Sequence, residues 1–181
     1  MQILDTEIAD VKLIIPKVFG DSRGYFFESW NAEKYSSAGI NCNWIQDNES
    51  KSTFGVLRGL HYQAPPYTQA KLVRVIEGAV LDVAVDIRKG SPTFGKHVAI
   101  ELTGENKYQL FIPRGFAHGF VVLSESATFA YKCDNAYMPS HERGIAFDDP
   151  SLGIDWRVNL KEYILSPKDT NNPPLSEAEL L

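Results

Sequence analysis

Lys71-Leu-Val-Arg-Val-Ile-Glu77-Gly78-Ala79-Val-Leu-Asp82-Val-Ala-Val-Asp86-Ile87 is the stretch that decides the fold class. Its first half puts Lys71, Val73 and Val75 on one side of an extended chain, because side chains alternate across a strand. Glu77-Gly78 reads as a turn. In the second half Ala79, Leu81, Val83, Val85 and Ile87 share one face, with Asp82 and Asp86 on the other. Outward from this pair, punctuation recurs at short intervals: Gly20-Asp21, Gly55, Pro65-Pro66, Gly90-Ser91-Pro92, Gly104, Pro113, Gly144 and Pro150. Short apolar or alternating runs between these breaks predict further strands over 56–62, 97–102, 108–112, 117–123 and 127–133, the pattern of a sandwich or barrel. One helix is expected near 32–38, with Asn31 as N-cap and Gly39 as its C′ residue. Ser176 can cap a short helical turn over 177–180, and the Pro- and Asn-rich segment 166–175 is expected to be a loop over the body or a disordered end. No interior linker interrupts the pattern, so residues 1–181 are read as one domain.

Charge narrows the function classes. A net charge of −5 lacks the basic excess of a general nucleic-acid binder, yet leaves room for a local Arg/Lys cluster facing one small anion. No apolar run is long enough to span a membrane, and the acidic start MQILDTEIAD does not read as a signal peptide, so a cytoplasmic setting is expected. Cys42 and Cys133 lie far apart and are read as unpaired, mostly buried thiols.

Two of the four histidines stand in suggestive frames: Gly55-Val-Leu-Arg58-Gly-Leu-His61 and Pro113-Arg-Gly115-Phe-Ala-His118. The frames resemble the two motifs of the cupin barrels, G-x5-H-x-H and P-x-G-x-x-H, whose histidines and one Glu hold a divalent ion in the metal-binding members. Here the second histidine position is Gln63, and the Glu position falls at Tyr67 or Thr68. His61 and His118 alone are too few for a stable site, so the fold expectation survives and a metal is not expected. His97 and His141 are read as structural or exposed.

The likeness sharpens over Asp21-Ser-Arg23-Gly-Tyr-Phe-Phe-Glu28, Gln46-Asp47-Asn48, Gly55 to Gln63, Lys71 to Gly78, Ile112 to Phe120, Tyr131-Lys-Cys133, His141-Glu142-Arg-Gly-Ile and Leu165-Ser-Pro-Lys168-Asp169. Together these segments resemble the dTDP-4-dehydrorhamnose 3,5-epimerase family, over about residues 3 to 175. The resemblance implies an all-β jelly-roll cupin barrel of two packed antiparallel sheets with one or two short helices. It implies a homodimer with strand exchange near the N-terminus, for which Val11-Lys-Leu-Ile-Ile15 offers an alternating strand. It also implies a substrate, dTDP-4-dehydro-6-deoxy-α-D-glucose, inverted at C3 and C5 to dTDP-4-dehydro-β-L-rhamnose in dTDP-L-rhamnose biosynthesis, without cofactor or metal. A family member acting at C3 or C5 only, a non-catalytic sugar-nucleotide binder and a metal-dependent cupin are the alternatives.

The C4 ketone acidifies the hydrogens on its two neighbours, so the reaction calls for a base, an acid on the opposite face and a cation for the enolate oxygen. By resemblance His61 is the base, and an imidazole, with an ordinary pKa near 6.5, suits that task. Asp169 matches the aspartate that orients it, which sequence proximity alone would not suggest. Lys71, on an inward strand face, matches the group that steadies the enolate. Tyr131 is the acid, with Tyr137 as its rival or as a wall against the nucleotide. Arg23, Arg58 and Lys168 match diphosphate positions, where guanidinium groups bind bidentately. Glu28, Gln46 and Asn48 match nucleotide contacts, and His118 and Glu142 match positions around the sugar. One conflict stands: Arg58 and His61 differ by three, so a regular strand points them to opposite sides, unless Gly59 permits a bulge.

Overall fold

The alternating run at 71–87 forms two strands, but both faces of the second are buried. The computed structural model describes residues 1–180. The strands are β1 (Gln2–Asp5), β2 (Lys12–Ile15), β3 (Val18–Asp21), β4 (Gly24–Phe27), β5 (Gln46–Thr53), β6 (Leu57–Gln63), β7 (Lys71–Glu77), β8 (Ala79–Asp86), β9 (His97–Thr103), β10 (Gln109–Ile112), β11 (Phe116–Val122), β12 (Ser126–Cys133) and β13 (Glu142–Gly144), with one helix, α1 (Ala32–Ser37). One sheet runs β1-β2-β10-β7-β12-β5 and the other β13-β6-β11-β8-β9, with antiparallel pairing throughout. The two face each other over Val73, Val75 and Phe129 from the first and Val80, Ala84 and Phe120 from the second. This is the expected jelly-roll cupin barrel.

The outer faces are covered as well. Leu81, Val83 and Val85 pack under Ile145, Phe147, Trp156 and Leu175 of the C-terminal segment. That cover explains why β8 is apolar on one side and why Asp82 points into the barrel rather than into water. On the first sheet, Ile14, Leu72 and Phe111 pack against Tyr35 of α1 and against Ile40. Asn31 caps α1 by accepting from the Lys34 N–H at 3.1 Å. The Ile40 N–H to Tyr35 carbonyl and Gly39 N–H to Ser36 carbonyl bonds, each 2.9 Å, close its C-terminus around Gly39 at φ 84°.

One expectation needs correction, and several strands were not anticipated. The segment after Ser176 is not helical: its turn is closed by Glu177 N–H to the Pro174 carbonyl at 3.0 Å, so Ser176 lies inside a turn and caps nothing. Strand β5 was not anticipated, because QDNESKST carries no apolar alternation, and as a sheet edge it needs none. Nor was the β3–β4 hairpin, which stands apart from both sheets. Segment 166–175 is the loop over the body, with a single 3-10 turn at Asp169–Asn171. The Val11–Ile15 run does form a strand, β2, which pairs inside its own chain between β1 and β10. No helix among the described residues is long and apolar enough to cross a membrane.

Candidate active site

The conflict between Arg58 and His61 is resolved by one extra residue on β6. His118 pairs with His61 and Phe120 with Arg58, so three residue steps on β6 oppose two on β11. The bulge falls at Gly59, at φ 138°, where an added Cβ would stand 2.6 Å from the Gly119 Cα. Arg58 and His61 thereby line the same cavity, of about 530 Å³, together with Lys71, His118, Tyr131, Lys168 and Asp169. A second cavity of about 360 Å³ shares His61, Lys71 and Tyr131 with it and adds Gln46, Asn48, Gln63, Tyr137 and Glu142. The barrel mouth is thus one continuous cleft in two lobes, and Lys71, Tyr131 and His61 stand where the lobes meet.

His61 Nε2–H donates to Asp169 Oδ1 at 2.5 Å, across 108 residues of sequence. Asp169 is only 4% exposed. Burial works against its charge, but hydrogen bonds from His61, Ser166 and the Gly59 N–H outweigh it and hold the carboxyl below the usual carboxylate range. An ionised Asp169 fixes the tautomer of His61 and leaves Nδ1 as the nitrogen free to take a proton. Asp169 is delivered by the C-terminal segment, which is anchored on β6 by Leu57 N–H to the Ile164 carbonyl and Ile164 N–H to the Gly55 carbonyl, at 3.1 and 2.9 Å.

A buried polar chain backs the opposite wall. Lys71 Nζ lies 3.5 Å from His118 Nδ1, and His118 Nε2–H donates to Asp82 Oδ1 at 2.8 Å. Burial lowers the pKa of both Lys71 and His118, opposed in each case by Asp82. A neutral His118 accepts from the ammonium at Nδ1 while giving its proton to Asp82. Burial likewise raises the Tyr131 hydroxyl above its ordinary value, which keeps it protonated. Tyr137, half exposed, donates to Glu142 Oε2 at 2.5 Å, and Glu142 also pairs with Lys168. Burial opposes the charge on Glu142, but those two bonds hold its pKa down.

The remaining expected residues divide. Gln46 and Asn48 join in a 2.8 Å hydrogen bond on the cleft side of β5, and Arg58 donates through Nε and a terminal nitrogen to the buried Ser52 Oγ at 3.2 and 3.1 Å. Arg23 and Glu28 are not brought into the cleft of this chain: Arg23 pairs with Asp21 on the exposed hairpin and Glu28 with Lys34. Asp82 and Ser166 were missed by sequence reading. The signal for Asp82 was a carboxylate in the middle of a mostly apolar strand, and for Ser166 a hydroxyl three residues before Asp169. Cys42 and Cys133 are both free, and burial pushes the Cys133 thiol up to about 11. Among the described residues no three His, Cys, Asp or Glu side chains converge as metal ligands.

The family model for dTDP-4-dehydrorhamnose 3,5-epimerase matches residues 5–177. The chain belongs to that epimerase family. A dTDP-4-dehydrorhamnose 3,5-epimerase of Shigella flexneri is 54% identical over 99% of this chain and 98% of its own length. The crystal structure of the Legionella pneumophila epimerase in complex with dTDP-4-keto-L-rhamnose superposes with TM-score 0.94 at 52% identity, covering 97% of this chain and 93% of that one. A 3'-monoepimerase of Streptomyces bikiniensis, solved with dTDP-quinovose, has TM-score 0.88 at 34% identity over 95% of this chain and 87% of its own. The epimerase barrel is therefore shared by enzymes that act at one carbon and at two.

Proposed function

We propose that this chain inverts dTDP-4-dehydro-6-deoxy-α-D-glucose at C3 and C5, giving dTDP-4-dehydro-β-L-rhamnose for dTDP-L-rhamnose biosynthesis. The observation that carries the reading is the His61–Asp169 pair set in one cleft with Lys71 and Tyr131. His61 Nδ1 takes the proton from the carbon beside the ketone. The electron pair of that C–H bond moves to form the C=C of an enolate, with the charge on the C4 oxygen. Lys71, held by His118, offers N–H groups to that oxygen. Tyr131 returns a proton to the carbon from the other face; its phenolate then recovers a proton from solvent and the His61 imidazolium gives one up to solvent, which resets both groups. No redox step occurs, and the residues return to their starting states by proton exchange with solvent.

Arg58 and Lys168 are the diphosphate ligands in this reading, Gln46 and Asn48 meet the nucleotide, and Tyr137 forms the cleft wall. The whole chain acts as one domain in the cytoplasm, as a homodimer. The β3–β4 hairpin supports the dimer: Phe19, Tyr25 and Phe26 are 53%, 58% and 69% exposed, an apolar patch rarely left open on a monomer. A second copy docked there brings Arg23 and Glu28 to its partner's cleft.

Incubation with the 4-keto sugar nucleotide in deuterium oxide, followed by NMR, tests the reading. Deuterium at both C3 and C5 with L-rhamno product is expected. Exchange at one carbon makes the chain a mono-epimerase, and no exchange reduces it to a binder.

A further inference from the structure

We infer that Gln63, at the position where metal-binding relatives of the barrel carry a ligand, is a positioning residue that sets Tyr137 at the wall of the cleft. The side chain is 4% exposed and lines the smaller lobe. Its amide is engaged on two loops at once. Nε2 donates to the Ala136 carbonyl at 3.0 Å and to the Tyr67 carbonyl at 2.6 Å, while Oε1 accepts from the Met138 N–H at 2.6 Å. Ala136 and Met138 are the two neighbours of Tyr137, so Gln63 grips the backbone on both sides of it. The site asks for two donors and one acceptor on a planar head, which the Gln63 carboxamide supplies and a carboxylate or an imidazole does not.

The grip matters because the Tyr137 hydroxyl is tied at its tip to Glu142, whereas the backbone on both sides of the ring is held from the cleft side by Gln63. Tyr137 and Ala136 are exposed, and no apolar core holds the ring. Further back, Asp134 accepts from the Ala70 N–H at 2.7 Å and from Arg114 Nε at 2.9 Å, and Gln69 Nε2 donates to the Asn135 carbonyl at 2.7 Å. These bonds anchor the start of the loop, and Gln63 alone spans Tyr137. Since Gln63 stands two residues after His61 on β6, the same strand sets the position of the base and of the wall facing it. The side chain touches neither the reacting carbons nor the C4 oxygen in the proposed chemistry, so its effect runs through Tyr137.

The inference rests on the proposed reading of Tyr137 as cleft wall. It is tested by steady-state kinetics on wild type, Gln63→Glu, Tyr137→Ala and the double variant, with dTDP-4-dehydro-6-deoxy-glucose as substrate. Gln63→Glu keeps the shape and removes both donors. The expected result is a KM raised about tenfold with kcat within about threefold, because a displaced wall costs binding rather than chemistry. In the Tyr137→Ala background the same substitution should then change KM less than about twofold, since the group it positions is gone. An unchanged KM in Gln63→Glu, or equal effects of the substitution with and without Tyr137, overturns the inference. If Gln63→Glu does not fold, Gln63→Met, of similar length and uncharged, carries the same comparison. Failure of the wild-type enzyme to convert the substrate overturns the functional reading itself. A normal KM in Tyr137→Ala removes Tyr137 from the wall and with it the role given to Gln63.

Discussion

At the scale of single residues, each proposed role predicts a different kinetic defect. His61→Ala removes the base and should lower turnover by about 10²–10⁴-fold or more while circular dichroism stays native. A variant keeping half the wild-type rate would strip His61 of the role. Tyr131→Phe keeps the ring, which packs against the core and 6.0 Å from Phe129, and removes one proton. Solvent isotope exchange should continue in that variant, since His61 can still take and return a proton on its own face, while net epimerisation falls much further. Loss of both together would mean that the hydroxyl serves the enolate or holds the sugar. Such pairs of roles follow from environment: burial keeps Tyr131 protonated, whereas hydrogen bonds keep Asp169 ionised despite burial.

At the scale of elements, the bulge on β6 decides whether the site exists. Gly59→Ala places a methyl group 2.6 Å from the Gly119 Cα on backbone at φ 138°, so either β6 straightens or β11 moves away. The expected cost is about 1–3 kcal/mol of stability. The larger loss is expected in kcat/KM, because a straightened strand turns Arg58 and His61 to opposite sides. Chemical denaturation and kinetics on one preparation check both, and a variant with wild-type kcat/KM would show that the bulge is not needed. Periodicity reads β7, β8 and β12 correctly because apolar residues alternate there over a full strand. It fails at β5, whose edge position removes the apolar signal, and at the segment after Ser176, where a favourable capping residue was offered no helix to cap.

At the scale of the whole molecule, the C-terminal segment holds the structure and also completes the site. It covers the outer face of the second sheet and hands Asp169 to His61. Elsewhere Asp86 fastens the turn after β8. Its fully buried carboxylate accepts from Arg88, Ser91 Oγ and Thr93 Oγ1, the last two at 2.6 Å. Burial opposes the charge, but these bonds hold its pKa well below the ordinary carboxylate range. A folded value below the unfolded one means that Asp86 stabilises the protein above about pH 4, and that this contribution is lost as pH falls through the folded value. The melting temperature should therefore drop steeply between about pH 5 and about pH 2, and less steeply in Asp86→Asn, which has no such proton to gain. Equal slopes in the two proteins would remove Asp86 from the acid response.

The amino-acid order alone determined the β architecture, the helix with both its caps, and the inward face of Lys71, Val73 and Val75, because each depends on a local period or a local hydrogen bond. The roles of His61, Lys71 and Tyr131 came from the resemblance to the epimerase family, since periodicity alone leaves Tyr131 a core tyrosine. Tertiary structure decided the rest. Only chain folding over 108 residues brings Asp169 to His61, and only burial of both faces of β8 makes Asp82 the support of His118. Gln63 read as a missing ligand, and became a fastener only when two distant loops came within hydrogen-bonding reach of its amide. Arg23 and Glu28 stay outside the cleft, each paired within its own segment, with Asp21 and Lys34, on or beside the β3–β4 hairpin that joins neither sheet.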